Sequence, residues 1–407
     1  MDAFDATLAL GGEAAAREIP AQLLSEITAE LGKTAAAYDR SGDFPHENIA
    51  LLRRHGIIGW VAAGDLAGDN LDLPQARRII AAIARGEPST ALVVIMTWLF
   101  SLQVFRNPAW SPKLRTHVLT DIATNGALAN ALRVEPALGT PVRGGLPETT
   151  ARRVQGGWLI SGHKLYSTGI PALNWLGVWG RTDEAEPRVG TFLVPGGSPG
   201  IRIVESWDQL GMRATGSHDA ILQDVFIPEE YAVDIRPPAA WAAERAPELI
   251  TWMSVLIPAL YDAVARNARD WLVQFALARL PSNLGAPLSS LPRFQEAVGE
   301  IDALLYTNTA LLDRSAFSEP GSVSAVEANL VKLTVTNNAI KIAERALSLT
   351  GNPALSRANP LERYYRDTLC GRVHSPQEDT ILSGAGKAAF ASFATLPGSN
   401  ISQSQFS

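Results

Sequence analysis

The stretch from Gly157 to Pro228 constrains the fold more than any other part of the chain. Short apolar runs recur there: Leu159 and Ile160, Leu165–Ser167, Leu176–Trp179, Thr191–Val194, Ile201–Val204 and Ala220–Ile227. Turn signals such as Gln155-Gly156-Gly157 and Pro195-Gly196-Gly197 punctuate them, as expected of a compact antiparallel sheet or barrel. No strand here alternates with a long helix, which argues against a doubly wound parallel sheet.

Both flanks read as helix. Over Ile19–Arg40, Leu23, Leu24, Ile27 and Leu31 recur at helical spacing while Glu26, Glu30 and Lys33 take the other face. Further helices are predicted from near Pro45 to a stop at Gly56, from Pro74 to Gly86, from Thr90 to Phe105 with Ser89 as cap, and from Pro112 to Ala123. After Pro238 come Leu249–Leu280, with Pro258 as a site for a kink, then Phe294–Phe317, Val323–Leu349 and a last helix from about Thr380 to Phe393. Long helices with short loops predict an antiparallel bundle. The fold class is therefore α+β, in three parts. An N-terminal helical domain covers residues 1–125, a central antiparallel β-barrel-like domain 126–236, and a C-terminal helical bundle with a short polar tail 237–407.

Composition narrows the function. The 407 residues carry 35 basic and 41 acidic side chains, a net charge of -6, which gives no reason to expect nucleic acid as a partner. Residues 91–105 form the longest apolar run, interrupted by Thr97, Ser101 and Gln103, so no membrane span is expected. Asp2 and Asp5 stand where a signal peptide needs positive charge. The single cysteine, Cys370, excludes an intrachain disulfide and a Cys-rich metal site, and the six histidines show no metal spacing. The expectation is a soluble cytoplasmic protein without a metal. Gly196-Gly197-Ser198-Pro199-Gly200 has the letters of a nucleophile elbow, but it leads into a strand instead of a helix and reads as a turn.

Several segments together carry a resemblance. GWLISGHKLYSTG, FLVP, PGIRI and SWDQLGMRATGSHDAILQDVFIP, followed downstream by LTGNPALS and ERYYRD, resemble the acyl-CoA dehydrogenase superfamily over nearly the whole chain. The resemblance implies a helical domain, a β domain and a C-terminal four-helix bundle, assembled as a tetramer or dimer, with FAD between the domains and FMN as the alternative. An isoalloxazine ring is flat, apolar on its faces and polar along one edge, so it needs a stacking surface and edge donors. The implied cofactor-binding residues fit that need. Tyr166 replaces the family's frequent Trp against the ring, and Ser167 and Thr168 follow, with the Thr168 hydroxyl toward N5. Leu132, Val134 and Thr140 line the flavin. Arg279 resembles the arginine that meets the pyrophosphate of a neighbouring subunit's cofactor, although Leu280-Pro281-Ser282 replaces the usual Phe-Gly. Gly351 and Asn352 resemble the turn over the adenosine.

The reaction is less uniform with the family. Acyl-CoA dehydrogenases remove an α proton with a glutamate a few residues beyond the Arg-Asp pair. Here Arg366-Asp367 leads to His374-Ser375 at that place, and Glu248 on the first bundle helix is out of register with the family's other location. His374 is the candidate catalytic residue. An Arg-Asp-x(6)-His segment resembles the flavin monooxygenases of the same fold, which add oxygen at flavin C4a, but Gln103 stands where their other histidine is usual. Three functions follow. The first is oxidation of the Cα–Cβ bond of an acyl thioester or similar substrate with hydride transfer to N5. The second is a reduced-flavin-dependent monooxygenase, and the third a non-catalytic flavin protein. The implied partners are a small-molecule substrate such as an acyl-CoA, an electron acceptor or a flavin reductase, and further copies of the chain.

Other conspicuous residues have plainer readings. Trp207, Asp208 and Arg213 are expected to be structural, and Cys370 a packed thiol. Glu378 and Asp379 suit the first turn of the last helix. His163 and His218 read as solvated turn residues, and Trp98, Phe100 and Phe105 as a core face.

Overall fold

Five of the six described helices of the first domain start where the chain supplies a side-chain acceptor or a proline, and all six stop at or beside a glycine or a polar residue. A computed structural model describes residues 18–68, 72–138, 145–241, 247–319 and 322–394. The helices are α1 (Ala21–Ser41), α2 (His46–Arg54), α3 (Trp60–Ala67), α4 (Leu73–Gly86), α5 (Pro88–Arg106) and α6 (Pro112–Asn125). Asp72 accepts from Gln75 N at the start of α4, and Ser111 accepts from Leu114 N at the start of α6. The expected Ser89 cap is corrected: α5 begins two residues earlier, and the Glu87 carboxylate accepts from both Ser89 N and Thr90 N. A carboxylate reaches two orphan amides at once, which a single hydroxyl does not.

The sheet has β1 (Leu128–Leu132), β2 (Thr150–Val154), β3 (Gly157–Lys164), β4 (Leu173–Thr182), β5 (Val189–Pro195), β6 (Ile201–Val204), β7 (Asp219–Pro228) and β8 (Ala232–Arg236). Its order is β6-β7-β3-β2-β4-β5-β8, and β1 also pairs with β4. The sheet is open. Most pairings are antiparallel, while β1 and β2 run parallel to β4. Leu165–Ser167 is corrected from strand to turn: Leu165 makes only an isolated bridge to Val134, and Tyr166 has φ +54°. His163 is likewise corrected: it lies in β3, with Nε2 2.8 Å from Asp219.

The last domain comprises α7 (Pro247–Ala278), α8 (Pro292–Ala316), α9 (Ala325–Thr350), α10 (Asn352–Leu355), α11 (Leu361–Leu369) and α12 (Glu378–Ala394). Pro258 lies inside α7 without ending it. α7 packs on α4 and α5 of the first domain as well as on α8, α9 and α11. α5 in turn packs on β1, and Phe100 lies where Gly177 of β4 leaves room: a Cβ there would come within 2.6 Å of its ring. α5 and α7 thus carry the core that joins the three parts. By length and hydropathy both are apolar enough to cross a membrane, contrary to the sequence expectation. Their apolar windows are 78% and 72% buried within the protein, which is the environment of core helices.

Candidate active site

The turn at Tyr166 organises the β side of the site. Its left-handed backbone holds the phenol ring off the sheet, 57% exposed and edge-on to Trp207 at 6.3 Å. A non-glycine residue in this region costs about 1–3 kcal/mol, so the surroundings must hold it there. They do so through backbone bonds. Leu165 N donates to Val134 O (3.0 Å), Ser167 N to His218 O (3.2 Å) and Gly169 N to Thr215 O (2.9 Å). Thr168 Oγ1 joins a row of hydroxyls, 2.9 Å from Ser217 Oγ, which is 2.7 Å from Thr215 Oγ1. Asn130 Nδ2 on β1 donates to Thr168 O at 3.0 Å.

A buried ion pair braces the loop that follows β1. Lys164 and Glu135 are 0% and 1% exposed in their side chains and meet at 2.6 Å. Glu135 also accepts from Glu148 N (2.6 Å) and Thr149 N (3.1 Å), and Lys164 donates to Trp179 O. Burial pushes Lys164 down to about 8 against the pull of Glu135. Burial alone would raise the Glu135 carboxyl, but the Lys164 hydrogen bond and charge outweigh it and hold the carboxyl below its usual range.

The second cluster lies in the bundle. His374 Nε2 is 2.6 Å from the hydroxyl of Tyr261 on α7. Lys332 on α9, 4% exposed, donates to His374 O (2.7 Å) and Pro376 O (2.9 Å). Burial first, and the Lys332 charge second, push His374 down to about 4. Burial raises Tyr261 well above the ordinary phenol value, and Cys370 and Asp367 add to the rise. Imidazole and phenol are therefore both neutral at pH 7. Burial also pushes the Cys370 thiol up to about 12, which suits a packed thiol and not a nucleophile.

A clasp between α11 and the β domain joins the two clusters. Met212 N donates to Asp367 Oδ1 at 2.7 Å, and Arg366 donates to Leu210 O at 2.7 Å. Arg366 also grips Asp39 of α1 with both Nη atoms, at 2.9 and 2.7 Å. Gly211 lies so close to α11 that a Cβ would be 2.3 Å from Arg366 O. Arg213 donates to Asp39 O, Asp208 and Gln209 O, the structural role expected of it.

The structure brings Val134, Tyr166, Ser167 and Thr168 together and buries Leu132 in the core beside them. It does not bring Arg279, Gly351 or Asn352 to this place. Arg279 follows the last residue of α7 and Gly351 ends α9, and all three are exposed. Thr140 lies outside the described residues. Reading the sequence alone passed over Tyr261, Lys332, Asn130 and Ser217. Lys332 had a legible signal, since it falls within the buried stripe of Ala328, Val331, Val335 and Ala339 on α9. The residues fit a flavin on one observation in particular. Ser167 Oγ is buried without a hydrogen-bond partner among the described residues, next to an exposed aromatic ring and a row of hydroxyls. That pattern suits the polar edge of a flat ring.

The comparisons agree with this architecture. Residues 133–225 match the model of the acyl-CoA dehydrogenase middle domain, and residues 250–375 that of the acyl-CoA dehydrogenase C-terminal domain. The chain is 31% identical over 375 residues, 91% of its length, to 96% of "Putative acyl-CoA dehydrogenase YdbM" of Bacillus subtilis strain 168. It is 26% identical to L-evernosamine nitrososynthase of a Micromonospora species, with 87% of this chain and 85% of that protein covered. The solved structure of KijD3 in complex with FMN and a dTDP-linked amino-keto sugar shares the fold, with a TM-score of 0.73, 24% identity, and coverage of 91% of this chain and 93% of that one. The chain belongs to the acyl-CoA dehydrogenase family.

Proposed function

We propose that this flavin oxidoreductase is a monooxygenase that takes reduced flavin from a separate reductase and oxygenates a small organic substrate bound between the β domain and the bundle. Bound flavin, FMN or FAD, supplies the redox chemistry. The carrying observation is His374. It stands at or next to the position where the resemblance expects the family's carboxylate, and it is neutral and hydrogen-bonded to Tyr261 instead of free to take a proton. Glu248, the other carboxylate at hand, is held in a two-point pair with Arg106 at 2.7 and 3.0 Å. Tyr166 offers a face for the ring, and Ser167 and Thr168 offer hydroxyls to its edge. The names of the nitrososynthase relative and the FMN-bound neighbour support this reading.

Dehydrogenation of an acyl thioester is the second reading, supported by the 31% identity to a protein named as an acyl-CoA dehydrogenase. His374, at about 4, would then replace a carboxylate of similar basicity. One experiment separates the two. The purified protein is reconstituted with FMN or FAD and mixed anaerobically with a panel of acyl-CoA thioesters. Bleaching of the oxidised flavin without added reductant would establish dehydrogenation and sink the monooxygenase. Product that forms only with reduced flavin and oxygen would support it. Self-association is proposed as well. Phe390 and Phe393 on α12 are 80% and 52% exposed, and a second copy would cover them. Exposed Arg279 is then free to reach a neighbour's cofactor.

A further inference from the structure

The side chain that faces His374 is as well defined as His374 itself. We propose that Tyr261 is a positioning residue that fixes His374 in the tautomer with its proton on Nδ1, so that the ring presents a neutral N–H donor to the reacting atoms. The inference concerns the site assigned above, and its catalytic part rests on that reading.

The argument is one of hydrogen-bond capacity. The Tyr261 hydroxyl is fully buried, and its one partner among the described residues is His374 Nε2 at 2.6 Å. If the phenol donates, its proton is satisfied and Nε2 acts as acceptor. If Nε2–H donates instead, the phenol proton is left buried without an acceptor, and leaving such a donor unmade is the costly arrangement. The donor is therefore Tyr261. A neutral imidazole carries one proton, so it resides on Nδ1. No described residue hydrogen-bonds to Nδ1, which leaves that N–H for a ligand.

The charged and titratable neighbours keep the ring neutral. Lys332 on α9 presents its ammonium to the His374 and Pro376 carbonyls, and the exposed Glu378 of α12 acts on Lys332. Asp367 of α11 and Cys370 just beyond it act on Tyr261. A second proton on His374 would place a cation beside Lys332. His374 thus holds one proton and offers it as a hydrogen bond. It cannot take a proton on Nε2 unless Tyr261 swings away.

The test reads the tautomer directly. Full-length protein labelled with nitrogen-15 in histidine is examined by long-range proton–nitrogen correlation, without added flavin and after loading with FMN. His374 is assigned by the signal lost in His374→Gln. The wild type is expected to show the neutral Nδ1–H pattern across neutral pH. Tyr261→Phe keeps the ring and removes the hydroxyl, and should bring in the Nε2–H form. With FMN and a reductase, the same variant should give about tenfold less product per reduced flavin consumed, with flavin affinity unchanged. Lys332→Met should raise the pH at which His374 titrates. An Nε2–H pattern in the wild type, or an unchanged pattern in Tyr261→Phe, would overturn the proposal. If the tautomer behaves as expected but the wild type oxygenates nothing, the positioning role stands and the monooxygenase falls.

Discussion

Two lysines, one in the sheet and one in the bundle, are buried to a similar extent and pushed down to about the same value, near 8, yet they do opposite things. Lys164 meets a carboxylate, Glu135, that accepts from two backbone amides besides. The pair is neutral as a unit, and it fixes the strand that leads into Tyr166. Lys332 donates to two backbone carbonyls and forms no ion pair among the described residues. Its charge is not cancelled on the spot, and the group that feels it is His374. The contrast shows that burial alone does not say whether a charge is structural. What decides is whether its counter-charge is buried with it.

Removing one member of the sheet pair should give the largest effect. Lys164→Met leaves Glu135 buried without its cation and should cost about 3–5 kcal/mol in urea unfolding. Lys164→Met with Glu135→Gln should recover much of that loss, since no charge is then stranded. If the double variant is no better than the single one, the lysine is not acting as a counter-ion.

Asp65 on α3 extends the comparison to a buried charge with no hydrogen-bond partner, as both its oxygens lack one among the described residues. Burial pushes it up to about 7, with Arg106 pulling down and Glu248 pushing up. A carboxyl raised in the folded state binds its proton more tightly there than in the unfolded chain. Its contribution to stability is therefore lost as pH rises from about 4, the unfolded value, to about 7. Asp65→Asn should flatten that decline and stabilise the protein at pH 8 by about 2–4 kcal/mol, while changing little at pH 3. A variant equally less stable at both pH values would show that Asp65 has a partner after all.

Lys332→Met should cost less than Lys164→Met, about 2 kcal/mol, because it leaves two carbonyls and no charge unsatisfied. Thermal melts of the two variants side by side check the ranking, and an equal loss would erase the distinction between the lysines. The smallest expected effect concerns Ser167. Its hydroxyl has no protein partner, so Ser167→Ala should stabilise the flavin-free protein by about 1 kcal/mol and weaken flavin binding. Melting with and without FMN reads both, and stabilisation in both conditions would remove Ser167 from the cofactor site.

Much of this architecture was legible before any coordinates. Ile201–Val204 matches its strand at both ends, and the long helices fall within a few residues of their expected limits. What escaped had weak local signals. β2 is Thr-Ala-Arg-Arg-Val, polar at an outward face, without the apolar run that marks the other strands. At Tyr166 the β propensity of tyrosine is overridden by the bonds that Ser167 N and Gly169 N donate to the carbonyls of His218 and Thr215, far along the chain. The site divides in the same way. His374 stands in a linear motif, whereas Tyr261 and Lys332 meet it only because α7 and α9 pack side by side.

The clasp at Met212 bears on the order in which the molecule is made. Met212 and Asp367 are 155 residues apart, and Arg366 and Asp39 are 327 apart. Loops of that length close late, after local helices and hairpins have formed. The contact between the β domain and α11 is therefore expected to form late, when the Leu210–Met212 turn seats against α11. Flavin held between them would then bind a nearly finished molecule, and serve as a seal on the fold instead of a nucleus for it.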